Sequence, residues 1–337
     1  MNSVADLTME LAAFIGKPVG PSRTAPTEVG EASIYNWCAA LGDALPIYTD
    51  ASFAAMSRWH GIVAPPTMLQ TWTMPDRRTT PPPTPGPDEP EAALIDLLRR
   101  NGYEGVVATN SEQAYIRPVR PGDRIASRAT IAEVSGPKRT AIGEGYFVTT
   151  ETAYVDAGGD PVGSLLFRAF RYRAETRRTP PPPVTPDLPA SPTVVVGRSV
   201  GPRTTETRKR SSVAAGDTLP ALEVPITPTL IVAGSVASGD FNVLHHDRDR
   251  ARAAGAADIF LNILSTNGLV GRYLGEWAGP DARVARVALR LGVPNYPYDT
   301  LRLTGVVERS DELVELRIRG TNSLGECVDA TAEVELP

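Results

Sequence analysis

Residues 238–247, SGDFNVLHHD, concentrate the side chains of this chain that could do acid–base chemistry. They include His245 and His246, two of the three histidines in 337 residues, together with Asp240 and Asp247. An α-helix would turn Asp240 and His245, five positions apart, to different faces, whereas an irregular loop can fold both toward one point. We therefore predict a catalytic loop in this segment.

A converging aspartate and histidine suit the addition of water to an activated double bond. A histidine that titrates near neutrality can take a proton from water, and a carboxyl group can return a proton to carbon. The competing interpretation is structural, with Asp240 capping a turn and the histidines serving as ordinary polar residues of a loop. For an isolated Asp and His this structural interpretation would be favoured, so the surrounding residues decide between the two.

The wider segment GDFNVLHHDRDRARAAG resembles the hydratase motif of the MaoC-like (R)-specific enoyl-CoA hydratases and dehydratases, a hot-dog-fold family. The family's motif positions are occupied by Asp240, Asn242, His245, Asp247, Ala251 and Gly255. Val243 replaces the usual proline. The resemblance implies that Asp240 and His245 form a catalytic dyad and that Asn242 supports the loop at the substrate-binding site.

Residues 258–277, DIFLNILSTNGLVGRYLGEW, have apolar side chains at helical spacing and predict the buried central helix of a hot-dog unit. Asn262 is a suitable N-cap, and the first-turn N–H groups near Asn262 and Ile263 could hold a thioester oxygen. We include Gly268, on the same helix, among the predicted substrate contacts. Most family members carry a His-Gly pair near this turn, which this sequence lacks, so the usual oxyanion site is altered.

Two proline-rich segments, at 74–90 and 177–193, punctuate the chain. Proline lacks an N–H donor and fixes its own φ, so neither segment can be a helix or a central strand. We predict an N-terminal degenerate hot-dog domain (1–176), a linker (177–193) and a C-terminal catalytic hot-dog domain (194–337). The fold class is α+β, a double hot dog in which each antiparallel sheet wraps around a central helix.

The two halves read as a degenerate repeat. ALGDALPIYTDASFAA in the first half aligns with ASGDFNVLHHDRDRARA in the second, pairing Asp43 with Asp240. Tyr48 stands where the dyad histidine would be, so the first half has no base at this position. It resembles the non-catalytic half of fused MaoC-type dehydratases, and its proline-rich insertion at 74–90 predicts a shortened or broken central helix.

Composition excludes several other classes. The formal net charge is −5 and 42% of residues are hydrophobic, which predicts a globular protein and argues against a nucleic-acid partner. The first twenty residues lack a basic region typical of a signal peptide, and no apolar run approaches the ~20 residues that span a bilayer. We expect a cytoplasmic protein without a membrane association, a metal site or a cofactor, coenzyme A being part of the substrate.

The sequence thus predicts a hydro-lyase that hydrates a trans-2-enoyl-CoA thioester to a 3-hydroxyacyl-CoA. The sequence from residue 260 onward resembles actinobacterial two-subunit hydratases of steroid side-chain enoyl-CoA thioesters, of which this chain would be a fused form. This resemblance implies a bulky acyl group. The halves would form an intramolecular pseudo-dimer, and whole chains could pair further as a homodimer. Three alternatives stay open: a dehydratase of polyketide or fatty-acid synthesis, a thioesterase, and a non-catalytic acyl-CoA-binding protein.

Overall fold

The computed structural model describes residues 4–75, 89–140, 142–173 and 201–337. The predicted linker at 177–193 and most of the predicted insertion at 74–90 lie outside these ranges. The domain boundary placed there therefore stays a prediction.

The first half of the chain places short helices ahead of long strands. Its helices are α1 (Val4–Ala12), α2 (Glu31–Leu41), α3 (Pro46–Thr49), α4 (Ala51–Met56), a 3₁₀ helix (Pro66–Thr73) and α5 (Pro90–Arg100). Its strands are β1 (Arg23–Thr24), β2 (Gly105–Tyr115), β3 (Ala126–Thr140), β4 (Gly143–Val155) and β5 (Pro161–Arg173).

The second half repeats this plan. Its helices are two 3₁₀ turns (Arg210–Ser212 and Val243–His245), α6 (Pro228–Ala237), α7 (Arg248–Ala253) and α8 (Ile263–Ala278). Its strands are β6 (Thr218–Ile226), β7 (Arg283–Leu291), β8 (Asp299–Ser310), β9 (Val314–Asn322) and β10 (Gly325–Glu335).

The described strands form one ten-stranded sheet in the order β1-β3-β4-β5-β2-β7-β10-β9-β8-β6, with every neighbouring pair antiparallel. The order within the second half mirrors the order within the first. The halves meet where β2 pairs with β7, from Asn110 opposite Arg290 to Ala114 opposite Arg286. The predicted α+β double hot dog is confirmed, with the pseudo-dimer joined by backbone hydrogen bonds inside one chain.

Helix α8 is the central helix of the second half, as the sequence predicts. Nearly all of its 16 residues are buried, and it begins where the Asn262 side chain accepts a hydrogen bond from the Ser265 N–H. It passes so close to α2 that a Cβ added at Gly268 would clash with a methyl carbon of Leu41 and would lie 2.7 Å from the ring of Trp37. Glycine is therefore required where the helices of the two halves cross.

The corresponding helix of the first half is short. The 3₁₀ helix Pro66–Thr73 has eight residues, and the chain leaves it just before the proline-rich segment. Helix α5 packs elsewhere, with Leu94 and Leu98 joining Leu7 and Leu11 of α1 in a separate small core. The predicted shortening of the N-terminal central helix is confirmed.

Candidate active site

Helix α6 delivers the predicted catalytic loop. After its last residue, Ala237, the buried Ser238 and the left-handed Gly239 (φ 69°) turn the chain back toward the helix. The Asp240 N–H donates to the Ser235 carbonyl at 3.0 Å, and the Ser235 hydroxyl donates to the Asp240 carbonyl. Both the N–H and the carbonyl of Asp240 are thus hydrogen-bonded to Ser235 near the end of α6.

The structure brings the two predicted catalytic side chains together. The Nε2 atom of His245 lies 3.6 Å from Oδ2 of Asp240, and both side chains are largely buried. On the other side of the ring, Nδ1 lies 2.7 Å from the Phe260 carbonyl oxygen. Because a carbonyl only accepts, Nδ1 carries the proton and the neutral ring presents the lone pair of Nε2 toward Asp240.

The surroundings favour this neutral form of the ring. Burial lowers the pKa of His245 below its ordinary value of 6.5, and the neighbouring His246 lowers it further. The hydrogen bond to the Phe260 carbonyl and the charge of Asp240 act in the opposite direction but do not outweigh burial. His245 is therefore an unprotonated base at neutral pH, which is the form that can take a proton from water.

Asn262 connects the start of α8 to the Asp240 carboxylate. Its Nδ2 donates to Oδ2 of Asp240 at 3.1 Å and to the Ser238 hydroxyl at 3.0 Å, while its Oδ1 accepts from the Ser265 N–H at 2.8 Å. The residue is only 2% exposed. Both N–H donors of its side-chain amide are thus used within the protein. The substrate contact predicted at Asn262 stays a prediction, and such a contact would have to be made by the backbone.

The other predicted substrate contacts lie in three different settings. Asn242 is exposed, and its N–H donates to Oδ1 of Asp240 at 3.2 Å while its side chain accepts from the Leu244 N–H. Ile263 is the first residue of α8, where N–H groups have no intrahelical acceptor. Gly268 packs against α2, which explains the glycine without a ligand. No observation tests substrate binding at these residues.

The first half retains the carboxylate of the dyad without its base. Asp43 precedes Asp240 by the same number of positions as Tyr48 precedes His245. The same spacing relates Pro66 and Ile263, the first residues of the corresponding helices. Tyr48 is buried, and burial raises the pKa of its phenol well above the ordinary value. Tyr48 therefore cannot act as a base near neutral pH, and it does not replace the histidine of the second half.

Residues of α8 fill the space beside the Asp43 carboxylate. The buried guanidinium of Arg272 donates to the Leu41 carbonyl at 2.9 Å and to Glu276 at 2.6 Å. Burial raises the pKa of Asp43 from 3.8 to about 6, although a hydrogen bond from the Leu45 N–H and the charge of Arg272 partly oppose it. The second half thus contributes an ion pair whose charges act on Asp43.

Cavities border both sites. A groove of about 560 Å³ runs between α2 and α6 and reaches Val236 and Ala237, next to the catalytic loop. A smaller cavity of about 60 Å³ lies beside Tyr48 and the 3₁₀ helix at Pro66 and Leu69. A third cavity of about 240 Å³ also reaches Tyr48, and the largest of these three openings is the groove between the halves.

Sequence reasoning missed Ser235 and Ser238 behind Asp240, and it predicted Asn262 as an N-cap and substrate contact without its hydrogen bond to Asp240. Ser235, Ser238 and Asn262 contact it or one another, but they lie up to 22 positions away along the chain. The sequence repeat could have pointed to them, because at the spacing that relates Asp43 to Asp240 the first half has Cys38, Leu41 and Pro65 in their places.

Within the residues that the structure describes, no cluster of three His, Cys, Asp or Glu side chains could hold a metal ion. No helix of the described ranges is long and apolar enough to cross a membrane.

Known proteins share parts of this sequence. A family model described as "FAS1-like, dehydratase domain region" matches residues 13–164. The chain is 47% identical over 122 residues to the 3-oxo-4,17-pregnadiene-20-carboxyl-CoA hydratase beta subunit of Mycobacterium tuberculosis, a match that covers 36% of this chain and 95% of that subunit. It is 38% identical over 175 residues to the alpha subunit from the same organism, 51% of this chain and 54% of that subunit. This chain thus spans about half the length of the alpha subunit.

Solved structures share the fold. A MaoC-like dehydratase superimposes with a TM-score of 0.74 at 20% identity, covering 97% of this chain and 100% of that one. A Mycobacterium tuberculosis protein described as having a double hotdog fold superimposes with a TM-score of 0.59 at 14% identity, covering 97% of each chain. Since the beta-subunit match extends over nearly the whole of that relative, the chain belongs to the MaoC-like family of hydratases and dehydratases and is an enzyme of the hydro-lyase class.

Proposed function

We propose that this enzyme hydrates a trans-2-enoyl-CoA thioester to a 3-hydroxyacyl-CoA, with Asp240 and His245 as the catalytic residues. The observation that carries this proposal is the separation of 3.6 Å between His245 Nε2 and Asp240 Oδ2. This separation exceeds a hydrogen bond but lets one water oxygen lie about 2.8 Å from both atoms. The base and the carboxylate can therefore act on the same water.

Each proton has a path in this arrangement. His245 Nε2 takes a proton from the water as its oxygen forms a bond to C3, and the electron pair of the C2=C3 bond moves into an enolate of the thioester. The oxygen now bonded to C3 still lies between the two residues, so it takes back the proton from His245 as it gives its remaining proton to Asp240, and Asp240 delivers that proton to C2. One water is added in all, and both residues return to their starting forms.

The thioester oxygen becomes negative during this reaction and needs hydrogen-bond donors. The N–H groups of Ile263 and Leu264 lie in the first turn of α8, at the positive end of a 16-residue helix. Preorganised donors of this kind stabilise a developing oxyanion. They would take the place of the His-Gly pair that most family members carry, and no cofactor beyond the substrate's own coenzyme A is required.

We propose further that the acyl group is bulky, either a steroid side chain or a long or branched chain. Two subunits of one steroid-type hydratase each match this chain, and the groove between α2 and α6 is large enough, at about 560 Å³, for a ring system. Met74, which ends the short 3₁₀ helix, approaches Gly239 of the catalytic loop. This approach supports a contact between the first half and a substrate held at the dyad.

A panel of enoyl-CoA thioesters tests both parts. Under the proposal, kcat/KM for a ring-bearing or long branched enoyl-CoA should exceed that for crotonyl-CoA by at least about tenfold, since each buried methylene adds roughly 0.8 kcal/mol. A preference for the four-carbon substrate would contradict the bulky acyl group. No hydration of any member, and no dehydration of the matching 3-hydroxyacyl-CoA, would contradict the activity and favour an acyl-CoA-binding protein.

We also propose one active site per chain, in a cytoplasmic enzyme whose chains could pair as homodimers. The first half supplies the second hot-dog unit but has Tyr48 in place of the dyad histidine. Titration with a tight-binding product analogue should therefore give one site per chain. Two equivalent sites would mean that the first half is also functional.

A further inference from the structure

We propose that Asn262 is a positioning residue for the reaction, holding the Asp240 carboxylate at the correct angle to the water and to His245. This inference rests on the proposed hydration by Asp240 and His245. It assigns the side chain of Asn262 a role in orienting the acid–base pair instead of contacting the substrate.

The hydrogen bonds around Asn262 determine which end of its amide faces Asp240. The Ser265 N–H can only donate, so it requires the amide oxygen at 2.8 Å. The Asp240 carboxylate can only accept, so it requires the amide nitrogen at 3.1 Å. A flipped amide would place donor against donor and acceptor against acceptor, and the orientation is therefore fixed by its partners.

The donor from Asn262 reaches the reacting oxygen itself. Oδ2 of Asp240 accepts from Asn262 and is also the atom that lies 3.6 Å from His245 Nε2. Oδ1 is held separately by the Asn242 N–H at 3.2 Å. With each oxygen held by a different donor, the carboxylate cannot rotate about its Cβ–Cγ bond without breaking both hydrogen bonds.

Without Asn262, the carboxylate loses the hydrogen bond that holds Oδ2 in place. The carboxylate could then rotate about its Cβ–Cγ bond, and Oδ2 would no longer accept a hydrogen bond from the water that His245 Nε2 also contacts. A misplacement of about 1 Å at a reacting group can reduce a rate by about 10²-fold. The expected defect is therefore in the chemical step and not in substrate affinity.

The first half of the molecule provides an internal comparison. At the offset that relates Asp43 to Asp240, the position of Asn262 is occupied by Pro65, which precedes the 3₁₀ helix and has no side-chain donor. The half without the histidine thus also lacks the amide. This pairing is expected if the amide serves the acid–base pair, whereas a purely structural N-cap would be useful in both halves.

The first test separates the two roles of Asn262. In Asn262→Ser the hydroxyl can still cap α8, because serine is among the best N-caps, but it cannot reach Asp240 as a donor while accepting from Ser265. We expect the melting temperature to stay close to that of the wild type, KM to change less than about threefold, and kcat to fall about 10- to 100-fold. Asn262→Ala, which removes both roles, should lose the same activity and also stability.

A control removes an N-cap in the first half. Asp50 caps α4, where its carboxylate accepts from the Phe53 N–H, and it also pairs with Arg203. Asp50→Ala should lower the melting temperature without lowering kcat of the folded enzyme. If Asn262→Ser instead resembles this control, with kcat lost only in proportion to unfolded protein, the positioning role is wrong.

The second test uses a variant whose activity, relative to the wild type, should depend on pH. In Asn262→Asp the new carboxyl keeps the capping oxygen, but it can donate to Asp240 only when it is protonated, as in carboxyl pairs that share one proton. The ratio of variant to wild-type kcat should therefore rise as the pH is lowered from 8 to 6. A ratio that is constant with pH would contradict the inference.

The outcomes distinguish this inference from the proposed function. A wild-type enzyme that hydrates no enoyl-CoA would overturn the function on its own. An active wild type, with Asp240→Asn inactive but Asn262→Ser fully active, would overturn only the positioning role.

Discussion

The two halves of this chain place the same carboxylate at the same point of the same fold, and only one of the two carboxylates lies beside a base. Asp240 is surrounded by Ser235, Ser238 and Asn262. At the corresponding positions around Asp43, the first half has Cys38, Leu41 and Pro65. The halves thus differ in the residues that hold the aspartate, because in the second half Ser235 bonds to its backbone carbonyl and Asn262 bonds to its carboxylate.

The difference has an electrostatic consequence for the first half. Asp43 accepts one backbone hydrogen bond from Leu45, and burial dominates, which raises its pKa to about 6. The nearby Arg272 offsets only part of this effect because its guanidinium also pairs with Glu276. Because these polar neighbours do not compensate fully for burial, the charged Asp43 carboxylate destabilises the fold at neutral pH.

The largest expected effect comes from removing the dyad. Asp240→Asn or His245→Ala should each reduce turnover by about 10²- to 10⁴-fold, and the double variant should be little worse, because the two residues act on one water. Steady-state kinetics with the preferred enoyl-CoA would measure this. Asp43→Asn and Tyr48→Phe, the matched changes in the first half, should alter turnover far less, and equal damage would show that both halves are catalytic.

A smaller effect, on stability, is expected from Asp43. Its folded pKa of about 6 exceeds the value of 3.8 for an unfolded chain, so the wild type loses stability as the pH rises from about 4 to 6 and does not regain it above. Asp43→Asn mimics the protonated form and should raise the free energy of unfolding at pH 8 by about 2 kcal/mol. Denaturant titrations at pH 8 and pH 4.5 would test this, since the gain should disappear at the lower pH.

The smallest effect concerns the pH dependence of the intact dyad. The pKa of His245 lies below 6.5, so at pH 6.5 more than half of the enzyme keeps a neutral ring, and kcat/KM should stay above half of its value at pH 8. It should fall as the pH drops further, through the lowered pKa. A fall centred above pH 7 would mean that burial does not control this histidine.

The sequence predicted the elements of this molecule better than their contacts. The dyad loop, the helix that begins after Asn262, the internal repeat and the short helix before the proline-rich segment all follow from local patterns of polar, apolar and proline residues. The bond between His245 and the Phe260 carbonyl does not, because it depends on how a loop folds against the start of the central helix. The same holds for Asn262, whose local pattern indicates a helix cap but not its second partner.

The pairing of β2 with β7 affects how the protein is made. The N-terminal half leaves the ribosome first, and β2 then has β5 on one side but no partner on the other until β7 has been synthesised. The unpaired edge of a strand can form hydrogen bonds with another chain and so cause aggregation. An incompletely synthesised chain exposes such an edge until the partner strand has been made. Pairing of β2 with β7 of the second half removes this edge, so we expect the first half expressed alone to be less soluble than the whole protein.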